Sequence, residues 1–238
     1  MKSNLSRFLT HGLVLIVVTG SGACRATFQH VVAQTKETQA ATTAKQALEL
    51  LAEGNRRFCS GDVIRRDLPA QVRETADGQY PLAAIVSCMD SRTSSELVFD
   101  QGIGDIFNVR IAGNVADEDV LASLEYAAKV AGTRLFVVLG HTHCGAVKAA
   151  CDDVKMGNIT ALLGRIKPAV DAVPASEQPR NSKNHEFVEH VAAANVRHTM
   201  QQILEQSPVL KEMLDAQQIV LVGGMYDVES GRVVFYGS

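Results

Sequence analysis

Four short apolar runs, LAAIVSC from Leu82, IFNVRIA from Ile106, LFVVLG from Leu135 and IVLVGG from Ile219, recur with helix-like material between them. Near-continuous β-branched runs describe strands covered on both faces, and strands joined through helices run parallel. The expected fold class is therefore α/β, with a central, mostly parallel sheet flanked by helices. GRVVFYG, after the turn-prone ESG, adds an edge strand beside the last run. Between the second and third runs, DEDVLASLEYAAKVAG has acidic residues in its first turn and Gly132 after its last, which predicts a helix. A second helix is predicted from near Asn184 to just before Pro208, and residues 171–184, with two prolines, read as a surface loop. AKQALELLAEGNRRF places Ala47, Leu50, Leu51 and Phe58 at helical intervals, and Gly54 weakens that helix without forbidding it.

The 238 residues, 46% of them hydrophobic, suffice for one globular domain with a substantial core. A formal net charge of -3 and no dense Lys/Arg block give no electrostatic footprint for nucleic acid, and favour a small, weakly charged substrate. At the N-terminus, Lys2 and Arg7 precede the apolar run GLVLIVV and the small residues TGSGAC, the order of a secretory signal. The run is shorter than the roughly 20 residues that span a bilayer, so no membrane span is expected. Residues 1–33 thus read as a signal peptide, with cleavage near 23/24 or 33/34, and the mature protein as exported and periplasmic. Cleavage at the first position leaves Cys24 as a lipid-anchor alternative. Residues 34–43, polar and small, read as a flexible arm, and residues 44–238 as the folded domain.

The chemistry gathers where two of the runs end. The first passes through Cys88 into Asp90 and Arg92, and the third into His141 and Cys144. In an open parallel sheet functional groups collect beyond the carboxyl ends of strands. Two thiolates and an imidazole suit Zn2+, and three protein ligands leave the fourth tetrahedral position open, as catalytic zinc requires. Zinc lowers the pKa of bound water towards neutrality. Asp90 can then orient the hydroxide, take its proton or occupy the open position itself, and Arg92 competes for the carboxylate by pairing with it. Alone, Cys88 would read as core and the Asp90/Arg92 pair as a structural ion pair; beside HTHCG they read as ligand and catalytic dyad. His143 reads as a loop or interface side chain, the glycines of GIGDIF as a turn, and Cys59 and Cys151 as buried thiols, with a disulfide as the alternative in an oxidising compartment.

CMDSR and HTHCG, with FDQGIGDIFNVRIAGN between them, resemble the β-class carbonic anhydrases from about Ala44 onward. The resemblance implies zinc ligation by Cys88, His141 and Cys144, one ion per subunit, and a catalytic dyad of Asp90 and Arg92. It implies reversible hydration of CO2 to bicarbonate and a proton by zinc-bound hydroxide. Phe107, Ala112 and Gly113 fall where the family lines its narrow substrate pocket. The resemblance also implies four parallel strands extended by an antiparallel edge strand, an N-terminal helical arm laid over a neighbouring subunit, and a homodimer or higher oligomer with the site at its interface. Ile111 stands where the family often has asparagine, and Ser94 and Ser95 where proline or alanine is common. The family's tryptophan-dependent bicarbonate regulatory pocket is not expected, since the chain has no Trp. Two other readings share the ligands: a hydrolase of carbonyl sulfide or carbon disulfide, and a non-catalytic zinc or bicarbonate binding protein. The presence of both Asp90 and Arg92 disfavours the second.

Overall fold

The computed structural model of the chain describes residues 32–236, so the proposed signal up to residue 31, with Cys24, lies outside the described residues. All four apolar runs are strands: β1 (Ala83–Ser87), β2 (Ile106–Arg110), β3 (Leu135–His141) and β4 (Val220–Tyr226). They are parallel, β5 (Val233–Tyr236) pairs antiparallel with β4, and the order is β2-β1-β3-β4-β5. Helices α1 (Lys36–Ala41), α2 (Ala44–Ser60) and α3 (Leu68–Glu74) precede the sheet. A short α4 (Ser95–Val98) follows β1, and α5 (Glu118–Lys129) links β2 to β3. Between β3 and β4 come α6 (Gly145–Cys151), α7 (Ile159–Ala172), α8 (His185–Gln206) and α9 (Pro208–Asp215).

Every β1 residue is buried because both faces of the sheet are covered. Ala83 and Ile85 belong to the cluster holding Leu51 of α2 and Phe99, while Ala84 and Val86 belong to the one holding Leu124 of α5 and Met200 of α8. Alternate side chains thus go to two apolar layers, which turns an alternating strand into a continuous apolar run. Covering on both faces fails at β2. It is an outer strand, with Ile106 buried, Phe107 to Val109 half-buried and Arg110 exposed.

The helix ends follow local chemistry. The Asp117 side chain accepts the Val120 N–H at 3.0 Å and opens α5, and Asn184 accepts the Phe187 N–H at 3.2 Å to open α8. Pro208 begins α9 after α8 stops, and α7 runs two residues into the expected loop, through Ala172.

Residues 34–43 depart from the flexible reading, since most of them form α1. Thr35 and Thr38 cap it reciprocally, and it buries no side chain. It is held from outside, where Gln39 Nε2 donates to the carbonyls of Pro81 and Ala131, both at 2.9 Å. In α2 the apolar stripe is narrower than the spacing predicts, for Leu50 is exposed while Ala47, Leu51, Gly54 and Asn55 are buried. A Cβ on Gly54 would lie 1.8 Å from the carbonyl oxygen of Phe99, so the glycine is where the helix touches backbone. Beside it, Asp100 is buried and accepts from the guanidiniums of Arg57 and Arg66. Among the described residues no helix is long and apolar enough to cross a membrane.

Candidate active site

β1 and β3 lie side by side, with Ser87 opposite Leu139, so Cys88 and His141 leave the sheet together. The chain continues from β1 towards β2 on one side and from β3 towards β4 on the other, which makes this the switch point of the sheet, where a crevice opens. Cys144 caps α6 three residues beyond His141. The three donor atoms lie within 4.8 Å of one another, and all three residues are buried.

This donor set fits a zinc ion on the structure's own terms. Nδ1 of His141 lies 2.8 Å from the carbonyl oxygen of Thr142, which can only accept, so that nitrogen carries the ring hydrogen. The lone pair is therefore on Nε2, which is buried and has no hydrogen-bond partner. A cation among the three donors satisfies it. The thiols are polarised to match: a hydrogen bond from Cys144 holds Cys88 well below the ordinary thiol range against the opposing effect of burial, and the Gly113 N–H adds to it. Cys144 is pushed up by that same bond and by burial. Two thiolates this close repel each other, and a divalent ion among the three donors offsets that repulsion.

Asp90 stands beside the donors, with Oδ2 at 4.0 Å from His141 Nε2. Arg92 holds it with two parallel bonds, Nε to Oδ1 at 2.9 Å and Nη2 to Oδ2 at 2.8 Å, and the Arg92 N–H adds a third at 3.0 Å. The Arg92 guanidinium keeps the Asp90 carboxyl well below the usual carboxylate range against the opposing effect of burial. In this geometry Arg92 engages both carboxylate oxygens of Asp90.

Two residues that fix this loop escape sequence reasoning. Thr93 Oγ1 donates to the carbonyls of Cys88 and Asp90, at 3.0 and 2.9 Å. Arg110, at the end of β2, donates to the same two carbonyls, Nε at 3.2 Å and Nη2 at 2.6 Å. Its only trace in the sequence is a charge closing an apolar run.

The three expected pocket residues separate. Gly113 joins the site, since its N–H donates to Cys88 Sγ at 3.3 Å. Its φ of 70° is left-handed, and a Cβ there would lie 2.6 Å from Ile166 Cδ1. Ala112 is next to it, half-buried. Phe107 lies elsewhere, in an apolar groove of about 390 Å³ between β2 and α5, with Val109, Leu124 and Tyr126 among its walls and none of the three ligands. Its ring meets Tyr126 edge-on at 6.4 Å.

His143 is a loop side chain, as expected. It lies 3.3 Å from Glu229 and edge-on to His185. Cys151 is buried, but Cys59 is exposed, contrary to expectation, because it lies on the outer side of the last turn of α2. All four described cysteines are free thiols.

An open parallel sheet with a Cys-His-Cys donor set at its switch point, and a paired carboxylate beside the vacant side of that set, defines a mononuclear catalytic zinc protein. Comparison with known proteins narrows the class. A family model described as carbonic anhydrase matches residues 83–233. Carbonic anhydrase 2 of Mycobacterium tuberculosis (strain ATCC 25618 / H37Rv) is 36% identical over 197 residues, covering 81% of this chain and 93% of the relative. A carbonic anhydrase of Pseudomonas aeruginosa is 33% identical over 172 residues, with 68% and 76% covered. Among solved structures, the β-carbonic anhydrase CafA of Aspergillus fumigatus aligns with a TM-score of 0.64 at 26% identity, over 81% of this chain and 89% of that one. The Coccomyxa β-carbonic anhydrase in complex with acetazolamide shares the fold, with a TM-score of 0.62 at 22% identity over 79% and 85%. The chain belongs to the carbonic anhydrase family, in its β class, and Cys88, His141 and Cys144 are its zinc triad.

Proposed function

We propose that this protein converts CO2 and water reversibly to bicarbonate and a proton, and that it works outside the cytoplasm as a dimer. The observation that carries the reaction is the Asp90 carboxylate, fixed by Arg92 at 4.0 Å from the free nitrogen of His141. Zinc in the triad supplies a Lewis acid that makes water nucleophilic near neutral pH. The protein's part is orientation. Asp90 stays ionised and can only accept, so it receives an O–H from the water or bicarbonate beside it and turns the oxygen lone pair towards CO2. Arg92 makes Asp90 too weak a base to keep that proton, which passes to solvent buffer. Gly113 and Arg110 keep the Cys88 sulfur and the Asp90 loop in register while this happens. Stopped-flow CO2 hydration, with zinc per subunit measured on the same sample, tests the reading. Rapid hydration with one zinc is expected; full zinc with no hydration would transfer it to carbonyl sulfide or carbon disulfide.

The dimer is supported by the free edge of β2 and the apolar groove beside it, with Met89 and Leu97 exposed nearby in sequence. Phe107, which shares no pocket with its own chain's ligands, would then line the neighbouring subunit's site. Two β-carbonic anhydrases of the filamentous ascomycete Sordaria macrospora, which share the fold, are tetrameric. Sedimentation at graded concentrations should give a dimer or larger, and Tyr126→Glu should shift it towards monomer.

Export rests on the order of charge, apolar run and small residues at the start of the chain. Of the two cleavage positions, 23/24 is the better supported. Ala33 is 4% exposed and its N–H donates to Glu74 at 3.0 Å, contacts that cleavage at 33/34 would remove. Intact mass of the exported protein tests this, and a mature N-terminus at Gln34 would reverse the choice.

A further inference from the structure

The zinc triad accounts for the loop that carries Gly113, but not for what holds that glycine still. A left-handed glycine is the least restrained residue a chain can offer, and its N–H would be a poor fixed donor to a metal thiolate. Here the peptides on the two sides of Gly113 are gripped separately. The N–H on one side points to Cys88 Sγ at 3.3 Å, and the carbonyl on the other accepts from Nδ2 of Asn195 at 2.7 Å. Asn195 is 0% exposed, on α8, between Ala192 and Val196 of the cores on either side of the helix. Its own Oδ1 is buried with no partner, a desolvation cost that an apolar side chain of the same shape would avoid.

We propose that Asn195 is a positioning residue for the zinc site: through Gly113 it aims an N–H at the Cys88 sulfur and so sets how strongly that thiolate binds the metal. The inference rests on the zinc reading of the triad. An N–H···S bond draws charge from the sulfur and fixes its direction, and outer partners of metal ligands typically govern affinity or activity by about 10–100-fold. α8 suits the task because it is a 22-residue helix packed against β3 and β4, more rigid than any loop. The competing account is that Asn195 merely ties α8 to the loop, in which case its loss would lower stability and leave the metal unchanged.

The test is Asn195→Leu, close in shape and unable to donate, with Asn195→Ser as a second variant should the first not fold. Zinc release to a chromophoric chelator should be about 10–100-fold faster than from the unmodified protein. In cobalt-substituted protein, the sulfur-to-metal charge-transfer band should move to longer wavelength, since a sulfur relieved of its hydrogen bond is the better electron donor. The melting temperature of each metal-free form is recorded alongside. Unchanged release and an unmoved band in a folded variant would overturn the proposal and leave Asn195 a structural tie. Failure of the unmodified protein to hold one zinc would instead overturn the reading of the triad itself.

Discussion

At the scale of single residues, function turns on where one carboxylate is allowed to go. Arg92 occupies both oxygens of Asp90, so removing it returns the carboxyl towards its ordinary acidity while freeing it to reach the metal. Arg92→Ala should lower kcat/KM by about 10²-fold or more, on the scale of a lost acid–base or positioning group. The loss should deepen as pH falls, because acid depletes the hydroxide that competes with the carboxylate. A pH–rate profile whose acid limb stays in place would remove Arg92 from this role. Arg110 acts one step further out. Arg110→Met keeps the stem, surrenders both carbonyls of the Cys88–Asp90 loop, and should cost about 10–100-fold in kcat/KM with zinc content intact. The ligands and the dyad were legible in sequence because motif spacing places them on two strand ends. Arg110, Thr93 and Asn195 were not, because each acts on a carbonyl far away in the chain, and no spacing rule reports which carbonyl a fold brings near.

At the scale of elements, helical propensity and packing disagree over α2. Propensity alone has Gly54→Ala gaining about 1 kcal/mol. The methyl group would enter the Phe99 carbonyl, and overpacking typically costs about 1–3 kcal/mol, so the substitution should destabilise; a raised denaturant midpoint would refute this. The sequence shows the glycine and hides the reason for it. The same holds for α1, whose polar composition gave no sign of a helix pinned by Gln39. Next to α2, burial pushes the Asp100 carboxyl up, but Arg57, Arg66 and the Ile64 N–H together outweigh it and hold the group below the ordinary carboxylate range. A carboxyl with a lowered folded pKa stabilises the fold above its unfolded pKa and loses that contribution as pH falls through the folded one. Asp100→Asn should therefore cost about 3–5 kcal/mol at neutral pH, since Arg66 stays buried without its partner, and should flatten the stability profile below about pH 4. Chemical denaturation of both proteins across that range checks it.

At the scale of the whole molecule, the sheet was predictable in strand number, direction and edge, because β-branched runs and intervening helices report them directly. What could not be read was which outer strand lacks a cover, since the half-buried β2 and the fully buried β1 draw on the same kinds of apolar residue. The triad has a consequence at this scale too. Cys88 and Cys144 stand at the two ends of a stretch that contains β2 and α5, and the metal joins those ends. The ion is thus a cross-link as well as a reagent: it closes a loop of more than fifty residues much as a disulfide would, and favours the folded chain by whatever affinity the unfolded one lacks. Chelation should lower the melting temperature by several degrees, restored by added zinc, and a melting curve indifferent to metal would show that the staple bears no load. If the chain is exported unfolded, as the proposed secretory signal implies, acquiring its metal would then be the event that locks the centre of the sheet.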